Sequence, residues 1–255
     1  MEKEKVLSGI YLKAVLPLLE EVVEYDETAA KLIRKWKASV MFHVSDGPAV
    51  TLKFRKGKVE VVPGKVALPT IAMWFTSAEK LNRMFAGENV IPVVWKGIRH
   101  VLLLKRFTQL TDRLNYYMQP TEEVVKDPKD KVFVVKLLML AALRGAIEVA
   151  ENDPHMAEIA ETIPSGTIQM RILEGGSSAY VIQGEEGLSY GLGEAPVAPD
   201  AIMEFKNPDV ALGVFQGTTD SMAALGAGDI RIRGLIPMVD NFNALLDGLT
   251  KYLDQ

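Results

Sequence analysis

The sequence predicts an α+β fold written twice: two tandem domains, each a five-stranded sheet flanked by helices. Three observations predict it. The chain repeats itself at a nearly constant offset. Within each copy, apolar residues recur first at helical spacing and then in alternation. The composition also suffices for two cores, because 255 residues that are 48% hydrophobic and 24% charged can supply two domains of roughly 125 residues.

The repeat starts at an offset of 128, where Leu19 to Glu24 answer Ile147 to Asn152 and Val40 to Gly47 answer Ile168 to Gly175. The offset then becomes 130, pairing Pro69 with Pro199, Met73 with Met203, Phe75 with Phe205, Phe85 with Phe215 and Gly87 with Gly217. A last stretch pairs Val93, Trp95 and Gly97 with Ile230, Ile232 and Gly234 at an offset of 137, so the second copy carries seven extra residues.

Each copy opens with two helices, Val6 to Glu24 and Thr28 to Lys37 in the first, Val132 to Glu151 and His155 to Ile163 in the second. Asp26 and Asp153 are the expected caps of the second helices. Three strands follow: Ser39 to Ser45, Ala49 to Phe54 and Lys58 to Val62, repeated as Thr167 to Leu173, Ser178 to Ile182 and Leu188 to Gly191. Asp46-Gly47-Pro48 and Lys56-Gly57 supply turns in the first copy. After a proline comes a fourth strand, Thr70 to Phe75 or Ala201 to Phe205. A short helix then ends at Gly87 or Gly217. A fifth strand (Ile91 to Trp95; Asp229 to Arg233) and a C-terminal helix (Arg99 to Tyr117; Pro237 to Leu253) complete the unit. The expected domains are therefore 1–119 and 132–255, joined by a charged linker at 120–131 that contains Pro128.

Composition removes several classes of function. With no cysteine there is no disulfide, thiolate metal site or cysteine nucleophile, and a reducing cytoplasm is the expected compartment. The apolar run Val132 to Ala150 contains Lys136, Arg144 and Glu148, so it reads as a core helix rather than a membrane span. The two halves carry opposite charge. Residues 1–128 hold 20 Lys+Arg against 15 Asp+Glu, net +5, and the remainder holds 9 against 18, net −9. Such asymmetry suits contact between domains, a homo-oligomer or an anionic partner. Lys53, Arg55, Lys56 and Lys58 gather the positive charge on one hairpin, which makes them candidates to hold an anionic head group or touch an anionic membrane. A pI near 5.6 and the lack of interleaved aromatics argue against nucleic acid.

The second copy reads Pro199-Asp200-Ala201-Ile202-Met203-Glu204-Phe205, then Ala211 to Gly217, a small-residue turn at Ala223 to Gly226, and Asp229-Ile230-Arg231-Ile232-Arg233-Gly234. This order resembles the sterol carrier protein, nonspecific lipid-transfer family. The first copy resembles it less closely, since Thr70 replaces the aspartate and the small-residue turn is missing. The resemblance implies a sheet and helices around an apolar tunnel that accepts fatty acids, fatty acyl-coenzyme A or sterols, without catalysis and without a cofactor. The tunnel candidates are Met73, Phe75, Met84, Phe85, Trp95 and Leu104 in the first copy, and Met203, Phe205, Phe215, Met222, Met238 and Phe242 in the second. Methionine is flexible and refits varied chains, although these residues would equally build a core. An interaction or assembly module with no free pocket is the alternative.

Catalytic readings are weaker. Gly187-Leu188-Ser189-Tyr190-Gly191 fits Gly-x-Ser-x-Gly, yet a hydrolase elbow needs a later histidine, and His43, His100 and His155 all precede it. Those histidines also lack metal-ligand spacing, so no metal is expected. Glu20-Glu21 and Glu185-Glu186 read as solvated pairs.

Overall fold

A computed structural model describes residues 2–45, 47–97 and 101–253, Val101 by its backbone alone. Asp46, Arg99 and His100 lie outside the described residues. The chain divides into two compact units, Met1–Tyr117 and Met118–Gln255.

The first unit opens with α1 (Glu2–Gly9), which runs through a π-helical stretch (Ile10–Val15) and a 3-10 turn (Leu16–Leu18) into α2 (Leu19–Tyr25). Pro17 accounts for the interruption: it has no N–H to donate backward, and a wider turn followed by a tighter one absorbs the missing bond. Asp26 then caps α3 (Glu27–Ile33), accepting from the Thr28 and Ala29 amides at 2.6 and 3.0 Å. The sheet contains β1 (Lys37–Val44), β2 (Ala49–Arg55), β3 (Lys58–Pro63), β4 (Ile71–Phe75) and β5 (Val93–Lys96) in the order β3-β2-β1-β4-β5. Between β4 and β5 lies α4 (Ala78–Phe85), capped by Ser77, and α5 (Val101–Met118) comes last.

The second unit repeats this plan. α6 (Pro128–Asn152) is unbroken, with Gly145 where the first copy has Pro17. Asp153 caps α7 (Pro154–Glu161). Strands β6 (Gly166–Ile172), β7 (Ser178–Gly184), β8 (Gly187–Leu192), β9 (Ala201–Phe205) and β10 (Ile230–Gly234) lie in the order β10-β9-β6-β7-β8, the same topology read from the other edge. α8 (Pro208–Phe215), α9 (Ser221–Ala227) and α10 (Ile236–Leu253) complete it.

The repeat holds at the level of register. In the parallel pairs, Phe42 lies opposite Met73 and Val44 opposite Phe75, just as Met170 lies opposite Met203 and Ile172 opposite Phe205. Gly97 and Gly234 end the fifth strands at φ +89° and +90°, and a Cβ at either would run into the backbone oxygen of Thr70 or Asp200. Only glycine combines that left-handed backbone with so close an approach. Thr70 and Asp200 also do one job: the Thr70 hydroxyl accepts from the Ser39 amide at 3.0 Å, and the Asp200 carboxylate accepts from the Thr167 amide at 2.8 Å. The aspartate missing from the first copy is thus replaced by another oxygen acceptor.

Three details depart from expectation. α6 starts at Pro128, inside the stretch read as linker, because Asp127 and Pro128 form a cap and first-turn pair, and Val124 just before them is buried. The small-residue turn of the second copy is the helix α9, capped by Asp220 and ended by Gly228 in the left-handed region. On the fifth strand, a bulge between Ala72 and Met73 breaks the pairing of β4 with β5, so the offset of 137 holds at Gly97 and slips by one at Val93 and Val94.

Candidate functional site

Each sheet buries one face against its helices. In the first unit that face carries Val40, Phe42, Phe54, Met73 and Phe75, all buried. Aromatic rings fill the space above it. Phe42 lies 6.5 Å from Phe75, 6.5 Å from Phe85 and 5.9 Å from Phe107, while Phe54 lies 6.3 Å from Phe107 and 4.8 Å from Trp36. Tyr11 stacks on Phe85 at 4.9 Å, and burial raises its phenol pKa. Rings at these separations pack against one another with the edge and offset geometries that aromatic pairs favour.

The corresponding face of the second unit is built of other side chains. Met170 stands at the place of Phe42 and Met139 at that of Tyr11, and Met139, Met170, Met203 and Met238 are all buried. Phe205 and Phe215 form a ring pair at 5.5 Å. Polar groups border this apolar interior on the β7–β8 side. Tyr190 pairs with Val181 in the ladder, and its hydroxyl accepts from the Arg144 Nε at 2.6 Å. The guanidinium also sits 5.6 Å over the Tyr190 ring. Arg144 Nη1 and Gln183 Oε1 are both buried without a hydrogen-bond partner among the described residues. Leu16 holds the position of Arg144 in the first unit, so this cation is not something the scaffold demands.

The tunnel candidates divide by exposure. Met73, Phe75, Met203, Phe205, Met238 and Phe242 are buried, and Met84, Phe85, Leu104 and Phe215 are half-buried. Trp95, next to the β4–β5 bulge, is 58% exposed, and Met222, in the first turn of α9, is 72% exposed. These two lie on the outside. On α9 it is Ala224 that turns inward.

The opposite faces of the two sheets differ in charge. In the second unit, Glu204 binds Arg233 and lies 3.6 Å from Arg171, which also holds Glu194 at 2.6 Å. In the first unit Trp74 replaces Glu204 and donates its indole N–H to Ser45 Oγ at 2.8 Å. His43 replaces Arg171. Its Nε2 lies 3.0 Å from Lys65 Nζ, and burial together with that neighbouring charge holds the imidazole below its ordinary pKa.

The four cations of the basic hairpin, Lys53, Arg55, Lys56 and Lys58, are exposed. Arg55 and Lys56 line an open depression of about 310 Å³ together with Arg34, Lys35, Trp36 and Lys37. Lys53 stands opposite Glu60 in the ladder and Lys58 opposite Arg55. The sequence reading missed Arg34 to Lys37, although the run Arg-Lys-Trp-Lys was there to be noticed. Arg144 was noted there only as one of the charges, with Lys136 and Glu148, that mark a core helix, and was given no role.

No family model matches the chain, and no curated protein matches it. Solved structures do. A UbiJ-SCP2 ubiquinone synthesis protein aligns at 18% identity over 48% of this chain and 96% of its own, with a TM-score of 0.32. Sterol Carrier Protein 2 from Yarrowia lipolytica, in its apo form, aligns at 15% identity over 41% of this chain and 84% of its own, TM-score 0.33. The sterol carrier protein domain 2 of Helicoverpa armigera aligns at 18% identity over 47% and 87%, TM-score 0.32. The likeness is one of fold.

The remaining chemistry follows from placement. Gly187 to Gly191 lies wholly within β8, so Ser189 sits on a strand of the meander and not on a strand-to-helix elbow. Among the described residues no cluster of His, Cys, Asp or Glu could hold a metal ion, and no helix is long and apolar enough to cross a membrane.

Proposed function

We propose that the chain is a non-catalytic carrier of an amphiphile such as a fatty acid, fatty acyl-coenzyme A or sterol-like lipid, taken up by the second unit. The observation that carries this reading is the methionine-lined interior bordered by Arg144, Tyr190 and Gln183. Methionine adapts to chains of different shape at low cost. Removing apolar ligand surface from water contributes about 25 cal/mol per Å², and a few polar groups at one end fix the orientation. Arg144, with Nη1 unpaired, is the group suited to an anionic or hydroxyl head. The proposed ligand site comprises Met203, Phe205, Phe215, Met238 and Phe242 with these polar residues. No covalent step is needed, because the ligand leaves as it enters.

Displacement of a fluorescent fatty acid from the full chain tests this. Met170→Phe, which gives the second unit the ring found in the first, should weaken uptake about tenfold, a loss of about 1.4 kcal/mol. Arg144→Gln should weaken it by a similar factor for an anionic probe and much less for a neutral sterol. Uptake unchanged in both variants, or no uptake of fatty acid, acyl-coenzyme A or sterol by the parent chain, overturns the proposal.

A further inference from the structure

We infer that the depression between the end of α3 and the β2–β3 turn is a binding site for a phosphate-class oxyanion, with Trp36 as its neutral donor. The inference does not depend on the second unit taking a ligand. Five cations and one indole form the depression: Arg34, Lys35, Lys37, Arg55, Lys56 and Trp36.

Two observations point to a ligand. First, the cations are uncompensated. Lys37, Arg55 and Lys58 face one another across three adjacent strands, an arrangement of like charges that destabilises a sheet. Among the described residues no acidic side chain pairs with the five cations of the depression. Arg34 and Lys35 follow the C-terminus of α3, where cations are favourable for the helix itself. That explanation does not reach Lys37, Arg55 or Lys56. Second, Trp36 is only 6% exposed, yet its Nε1 has no hydrogen-bond partner among the described residues. A buried indole N–H left unpaired is uncommon, because the donor loses its water without replacement.

The local backbone supports the same site. Lys56 and Gly57 take φ of +54° and +75°, the geometry of a tight hairpin turn in which asparagine or glycine is usual at the first position. A lysine held there is strained. The turn packs against Arg34, whose Cα lies 3.9 Å from where a Gly57 Cβ would stand. Trp36 in turn stands nearly perpendicular to the buried Phe54 ring at 4.8 Å, a contact that holds the indole in place. At about 30 Å³ per water, the volume suits a tetrahedral oxyanion with part of its hydration. A phosphate oxygen would accept from the buried indole N–H once the exposed side chains over it turn aside, with the cations closing over the other oxygens.

The experiment uses the full chain with isotope-labelled tryptophan, whose indole resonance is assigned by its disappearance in Trp36→Phe. Titration with inorganic phosphate at constant ionic strength should move that resonance saturably. The double variant Arg55→Gln/Lys56→Gly, which changes only exposed positions and relieves the turn, should need about five-fold more phosphate or higher for the same shift. Vesicles of phosphatidylcholine with and without phosphatidic acid separate the two sources of the anion. Cosedimentation that requires phosphatidic acid and is lost in the double variant assigns the site to a lipid head group; a response to free phosphate alone assigns it to a soluble ligand. An indole resonance that phosphate leaves in place, or that chloride moves equally, overturns the inference.

Discussion

The two units share strand order, parallel register and helix caps, yet one fills its interior with rings and the other with thioethers. Phe42, Phe54, Phe75, Phe85 and Phe107 lock the first unit, whereas Met139, Met170, Met203 and Met238 line the second. The contrast shows which features belong to the scaffold. The glycines at the ends of β5 and β10 occur in both copies, as do the acceptor oxygens of Thr70 and Asp200 and the capping aspartates Asp26 and Asp153. They hold the fold. Arg144, Met139, Met170 and Met238 occur only in the second copy, Met203 having its counterpart in Met73, and the cationic depression occurs only in the first.

Truncating the interiors should show the largest difference. Phe42→Ala removes a ring that touches three others and should cost about 3–5 kcal/mol, whereas Met170→Ala should cost about 2–3 kcal/mol because neighbouring methionines can collapse into the space. Trp36, Trp74 and Trp95 are the three tryptophans of the chain and all lie in the first unit. Intrinsic tryptophan fluorescence during denaturant unfolding therefore reports that unit, and circular dichroism reports both. Equal losses in the two variants would mean that the interiors are equally rigid.

Next come the two corner aspartates. Asp26 accepts from Arg113 Nε at 2.6 Å and from the Tyr117 hydroxyl at 3.2 Å, in addition to its two amides. Asp153 has its two amides and Tyr252, but no arginine among the described residues. In both, burial pushes the carboxyl pKa up. For Asp26 the Ala29 amide, Arg113 and the Thr28 amide outweigh burial; for Asp153 Tyr252, the Met156 and His155 amides and the nearby His155 ring do so. Both folded-state pKa values lie below the ordinary aspartate value of 3.8, so the unfolded chain binds more protons in acid. Their stabilisation is complete above that value and is lost as pH falls from it through the folded pKa. Asp26→Ala should cost about 2–3 kcal/mol near neutrality, and Asp153→Ala about 1–2 kcal/mol. Each variant should flatten the acid side of its own unit's stability profile. A profile that keeps its slope would remove the aspartate from the account.

The smallest effect concerns the helix opposite the sheet. Gly145 occupies the place of Pro17, and a Cβ there would press on the Leu249 side chain. Gly145→Ala should cost about 1–2 kcal/mol, crowding partly offset by the better helix propensity of alanine. A gain in melting temperature would show that Leu249 has room to move.

Much of this was legible beforehand. Alternating residues located the first three strands of each sheet, the fourth was placed by the proline before it and the fifth by the repeat, and Asp26 and Asp153 gave their caps away by standing before a helical run. What the sequence could not reveal was spatial. The parallel pairing of β1 with β4 joins segments about thirty residues apart through no local signal. Lys37 and Arg55 are likewise distant in sequence, and only their register across β1 and β2 brings the two cations together. Arg144 was visible as a charge in an apolar helix, but its meaning depended on knowing that Leu16 does the scaffold's share of the work in the other copy.

The hydrogen bonds from Tyr117 to Asp26 and from Tyr252 to Asp153 span 91 and 99 residues. Each tethers a unit's first helical corner to its last helix. During vectorial synthesis the sheet strands emerge first, but the latch cannot close until the final helix has left the ribosome, and closing so long a loop carries an entropic cost that local contacts do not offset. Each unit therefore becomes whole only when its last turn is made, and a chain cut short before Tyr117 or Tyr252 would leave a buried aspartate with part of its partners unborn.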